Sequence, residues 1–141
     1  MKKNYRLAEK YLYNFLYYQY EIRKLLEQIR LIELDVHAQN YNSETHSQEI
    51  SDPVSKLYER KEKIMIQIKA RQKIIKLVNN FLDMLRNDTK KYPNGVLLVE
   101  LIYFCKVKLK EVADKLGISE RTLYQRKKEI VTFFAESLNE L

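Results

Sequence analysis

Residues 109–128 read LKEVADKLGISERTLYQRKK, and the order of small, apolar and turn-forming residues in this stretch decides the fold. Leu109, Val112, Ala113 and Leu116 recur at three- and four-residue spacing, the signature of one buried face on a short helix. Ala113 is small where two helices must cross closely. Gly117 follows at once, and glycine adopts positive φ at little cost, so it ends one helix and lets the chain reverse. Ile118 then points back to the core. Ser119 is placed to cap a second helix by accepting a bond from an early backbone N–H. Leu123 and Ile130 continue the buried stripe, completing the pattern of a helix-turn-helix.

Projected at about 100° per residue from Leu123, the second helix puts Ile130 and Phe134 within about 20° of the core. Arg121, Gln125 and Lys128 fall on the opposite side, with Tyr124 beside them. These side chains suit a DNA major groove. Arginine can fork onto guanine, glutamine can pair with adenine, and tyrosine offers a hydroxyl and an apolar edge. Arg126 departs from the usual pattern by standing on the inner side, where its stem can lie along the core while its head reaches a phosphate. Residues 106–128 hold eight basic side chains against three acidic ones, so most of the chain's net charge of +7 collects around the motif. Lys106, Lys108 and Lys110 precede it and are expected to contact phosphates, fixing register without reading sequence.

Working outward, residues 96–105 (VLLVELIYFC) are almost continuously apolar and predict a buried helix beneath the motif, with Cys105 as a core thiol. Residues 87–95 (NDTKKYPNG) hold the second proline and the first glycine and predict a break. Before them, Val54, Leu57, Ile64, Ile68, Ile75, Val78, Leu82 and Leu85 form a helical seam interrupted by Lys61 and Arg71. Asp52 is expected to cap that helix, with Pro53 in its first position. Residues 38–51 (AQNYNSETHSQEIS) are polar and aperiodic and read as a linker. A first long helix, about Tyr5 to His37, carries Tyr11, Phe15, Tyr18, Ile22, Leu25, Ile29, Ile32 and Val36 at alternating spacings of four and three. Tyr13, Tyr17 and Tyr20 make a second aromatic row, read as a packing surface.

The expected architecture is therefore all-α. A long helical hairpin or coiled coil over residues 1–88 serves oligomerisation or interaction, and a helix-turn-helix domain occupies 89–141. Packing within one chain and homodimerisation through the seams both satisfy the pattern.

Composition agrees with helices: two glycines, two prolines and no tryptophan in 141 residues leave few tight turns for a sheet. A single cysteine excludes an intrachain disulfide, and no long apolar run or signal-peptide pattern is present, so a cytoplasmic protein without a membrane span is expected. His37 and His46 have no partners at ligand spacing, so no metal is expected. No phosphate loop or nucleophile elbow appears, and neither enzymatic activity nor a cofactor is expected.

The run LKEVADKLGISERTLYQRKKEIVTFFAESL resembles the C-terminal helix-turn-helix of the RinA and ArpU groups of phage transcriptional activators, itself similar to the promoter-reading region 4 of sigma factors. The likeness rests on the apolar helix ending IYFCK, the VADKLGIS turn, the SERTLYQRKK helix and the closing FFAESL, and covers about Leu97 to Leu141. It implies activation of late packaging and morphogenesis genes through double-stranded DNA and the host RNA polymerase in a bacterial cytoplasm. Ser119, Glu120, Arg121, Tyr124, Gln125 and Lys128 match the positions that face DNA in that motif. Together with Lys106, Lys108, Lys110, Thr122 and Arg126 they make the candidate DNA-binding set. Two alternatives stay open: a helical interaction protein that binds polymerase or another host protein, and a ring-forming DNA-recognition subunit of a packaging apparatus.

Overall fold

The computed structural model describes residues 2–43 and 52–139, and among them the fold is all-α, with no strand. In chain order the helices are α1 (Lys2–Tyr13), α2 (Phe15–Ser43), α3 (Asp52–Asn87), α4 (Gly95–Val99), a π-helical turn (Glu100–Phe104), α5 (Leu109–Leu116) and α6 (Glu120–Asn139). They sort into two compact units. One comprises Met1–Leu16 with Ile74–Leu141, and the other Tyr17–Lys73.

The single helix expected over residues 5–37 is divided at Asn14. Both the backbone N–H and the side-chain amide of Asn14 donate to the Lys10 carbonyl, at 3.1 and 2.9 Å, so the side chain competes for the helix's own acceptor. Helicity then runs on to Ser43 and absorbs residues 38–43 of the expected linker. The rest of the linker, with His46, lies outside the described residues. Asp52 is already helical, which places Pro53 in the first turn, where a missing N–H costs nothing.

In the unit Tyr17–Lys73, Leu25, Ile29, Ile32 and Val36 of α2 bury themselves with Val54, Ile64 and Ile68 of α3, and Ile22 and Leu57 pack at the edge. Both expected seams are thus covered within one chain. The two charges that interrupt the α3 seam find carboxylates on α2: Arg71 pairs with Glu21 at 2.9 Å and Lys61 with Glu33 at 3.0 Å. Partners on α2 rise in number as those on α3 fall, so the helices run antiparallel.

The other unit has one continuous core. Ala8, Leu12 and Phe15 join Val78, Phe81, Leu82 and Leu85 from the end of α3 and the buried residues of α4 to α6. Phe81 stacks on Phe134 with ring centroids 4.5 Å apart, and Phe15 on Phe104 at 5.0 Å. Packing therefore crosses the boundary expected at residues 88 and 89. The break expected over 87–95 is present: α3 ends at Asn87, Tyr92 N–H bonds to the Asp88 carbonyl, and Asn94 turns the chain at φ 55°.

The apolar stretch 96–105 is not one regular helix. Cys105 N–H reaches back five residues to Glu100 at 2.8 Å, a π-type bond, and Val107 N–H reaches Leu101 at 2.9 Å. This wide turn keeps Leu98, Val99, Ile102 and Tyr103 buried and leaves Cys105 exposed, correcting the expectation of a core thiol.

Candidate nucleic-acid interface

The α5–α6 junction forms as its residues dictate. Gly117 takes φ 67°, its N–H bonds to the Asp114 carbonyl at 3.3 Å, and Ile118 N–H bonds to the Ala113 carbonyl at 3.1 Å. These paired bonds close the carbonyls at the end of α5. Ser119 Oγ accepts the Thr122 N–H at 3.1 Å and donates to Thr122 Oγ1 at 2.9 Å, so the expected cap is made. Val112, Ala113, Leu123, Ile130 and Phe134 are buried, with Leu109, Leu116 and Ile118 packed against them.

With that face turned inward, Arg121, Tyr124, Gln125 and Lys128 are exposed, and Tyr124 retains 55 % of its surface. Lys106, Lys108, Lys110, Ser119 and Glu120 are exposed as well. Thr122 and Arg126 are half-buried, and the first is engaged in the cap. Lys106 adopts φ 54°, a left-handed conformation that costs a non-glycine residue on the order of 1–2 kcal/mol. Its ammonium lies 5.9 Å from the centre of the Tyr13 ring, while that ring meets Tyr103 edge-on at 5.0 Å. Tyr13 therefore meets the core along one edge, but it stays 46 % exposed, and Tyr17 and Tyr20 are exposed as well, so the row is not the packing surface expected of it.

What the sequence did not reveal is the wall that α1 builds beside α6. The two helices run antiparallel, with Asn4 hydrogen-bonded to Asn139 at one end and Glu9 beside Lys127 further along. Between them lies an open groove of about 710 Å³, lined by Tyr124, Gln125 and Lys128 on α6 and by Asn4, Tyr5 and Arg6 on α1. Arg6 is exposed and thus joins the candidate set from more than 100 residues away in sequence. The only hint was a basic cluster, Lys2, Lys3 and Arg6, far upstream of the motif.

Glu9 is the centre of the α1–α6 contact. Its Oε2 accepts the Tyr103 hydroxyl at 2.6 Å and meets Lys127 Nζ at 3.3 Å. Lys127 Nζ also lies 5.9 Å from the ring centres of both Tyr103 and Tyr124. Burial, then the hydrogen bond to Glu9 and the negative charge behind it, push the Tyr103 phenol far above its ordinary range. Burial also raises Tyr5 and Tyr92, with Glu9 and Asp88 respectively adding to the shift.

Elsewhere the described residues offer little chemistry. His37 is exposed, no group of three or more metal-ligating side chains is present among the described residues, and none of their helices is long and apolar enough to cross a membrane. No protein-family model, curated protein or solved structure matches this chain.

Proposed function

We propose that the protein is a sequence-specific DNA-binding transcription regulator whose α5 and α6 form a helix-turn-helix, with α6 as the recognition helix. One observation carries this reading: α6 buries Leu123, Ile130 and Phe134 while keeping Arg121, Tyr124, Gln125 and Lys128 exposed, the last three along the groove beside α1, directly after a capped turn. Lys106, Lys108 and Lys110 supply phosphate contacts, and Arg6 adds one from α1. The resemblance of residues 97–141 to the RinA and ArpU groups extends the reading to activation of phage late genes with the host RNA polymerase. The antiparallel α2 and α3 act as a helical hairpin that sets this module in its larger assembly.

Selection of bound sequences from random duplex DNA, with a mass measurement of the complex, tests specificity and stoichiometry together. Two half-sites about one helical turn apart indicate a two-fold dimer, and one short asymmetric site indicates a monomer. On the selected duplex, Arg121→Ala is expected to lose about 1–3 kcal/mol of discrimination at one base position. Lys108→Ala should instead weaken all duplexes alike and reduce the slope of log K against log salt by about 0.9. Unchanged titrations for both variants would remove this assignment.

A second reading has its own support. In the unit Tyr17–Lys73, Tyr17, Tyr20, Leu31 and Leu34 remain exposed at helical spacing along α2, apolar side chains suited to a protein partner such as polymerase. Retention of polymerase in a pull-down after deletion of residues 109–141 favours that reading over the first.

A further inference from the structure

Lys127 lies on the recognition helix between Arg126 and Lys128, but projected at about 100° per residue it falls roughly 40° from Leu123, and the candidate DNA-binding set leaves it out. Its surroundings give it another role. The side chains of Lys127 and Glu9 are only 19 % and 26 % exposed, their charges meet at 3.3 Å, and the same carboxylate oxygen is held by the Tyr103 hydroxyl. No other basic side chain of α5 or α6 has an ion-pair partner among the described residues.

We infer that Glu9 is a specificity-determining residue that neutralises Lys127 within the recognition helix, holding down sequence-independent attraction to phosphates. The inference rests on the DNA-binding reading. Non-specific affinity grows with each phosphate that a protein cation neutralises, whereas base-edge contacts are unaffected by that count. Lys127 Nζ lies 5.9 Å from the Tyr124 ring, and Tyr124 is among the side chains assigned to bases. An unpaired ammonium there would stand beside a side chain assigned to the duplex, at a separation shorter than the Debye length of about 8 Å at physiological salt. Glu9 removes that charge while fixing α1 against α6. The reading face is left to Arg121, Gln125 and Lys128, whose contacts depend on sequence or on register.

The test is the salt dependence of binding to a random duplex and to the selected duplex, for the full-length wild type, Glu9→Gln, Lys127→Gln and the double variant. Glu9→Gln keeps an acceptor for Tyr103 and removes the charge. It is expected to steepen the salt slope by about 0.9, to tighten random-duplex binding severalfold at low salt, and to narrow the ratio between the two duplexes. Lys127→Gln should leave the wild-type slope unchanged, and the double variant should return to it. A role confined to stability would not steepen the slope. A wild-type slope in Glu9→Gln, or a slope flattened by about 0.9 in Lys127→Gln, overturns the inference while leaving the DNA-binding reading intact. Should Glu9→Gln not fold, the Lys127→Gln slope decides alone. Absence of duplex binding by the wild type overturns both.

Discussion

Tyr103 shows how one side chain ties the candidate site to the core. Its ring is fully buried, while its hydroxyl donates to Glu9 on α1. The phenol's affinity for its proton is therefore higher in the folded chain than in the unfolded one, whose tyrosines titrate near pH 10. Below that pH both states hold the proton, and the stabilisation is complete. Above it the unfolded chain releases the proton while the folded chain retains it, so stability falls by about 1.4 kcal/mol per pH unit for this one group. Tyr5 and Tyr92 act with the same sign. Urea unfolding at a series of pH values should show a plateau up to about pH 10 and a decline beyond. In Tyr103→Phe that decline should be shallower by one proton's worth. Equal slopes in the two proteins would show that Tyr103 releases its proton as readily folded as unfolded.

At the scale of elements, the α5–α6 junction was legible because each of its constraints is local. Gly117 supplies the positive φ, Ser119 the cap, and Ala113 with Leu123 the inner faces. The seams of α2 and α3 were legible for the same reason, since three- and four-residue spacing survives in any packing arrangement. Three features were not. The break at Asn14 depends on a side-chain amide competing with the backbone for the Lys10 carbonyl, a choice that periodicity does not register. The π-turn at Glu100–Phe104 shifts register inside an apolar run in which almost any phase looks buried, so Cys105 was assigned to the wrong side. Arg6 and Glu9 reach the site only through tertiary packing of α1 on α6. The junction's local character is open to a direct test. A Cβ on residue 117 would meet nothing within 4 Å, so Gly117→Ala is penalised by backbone conformation alone. The expected loss is about 1–2 kcal/mol, with Gly117→Asn losing less because asparagine tolerates the left-handed region. Thermal unfolding of the three proteins checks the order, and an undiminished alanine variant would mean that the turn relaxes out of positive φ.

The whole molecule differs from its sequence outline chiefly in what the unit around α5 and α6 is made of. Chain order suggested a domain beginning near residue 89, yet the core around Leu123 and Phe134 is completed by Leu12 and Phe15 from the first two helices and by Val78, Phe81, Leu82 and Leu85 from the end of α3. Periodicity could place each of these residues on a buried face but could not say which face would cover which. Burying one such large apolar side chain contributes about 1.5–3 kcal/mol. Six of them together rival the entire stability of a domain, about 5–15 kcal/mol. A fragment of residues 89–141 is therefore expected to show weak helicity and a broad, non-cooperative thermal transition. A fragment of residues 74–141 restores the α3 contribution but still lacks α1. Adding a peptide of residues 1–16 to it should give a saturable rise in helical ellipticity, a cooperative transition and a gain in duplex affinity. If 89–141 alone melts cooperatively and binds the selected duplex like the full chain, the unit around α5 and α6 ends where chain order placed it. In that case Glu9 and Arg6 have no part in it.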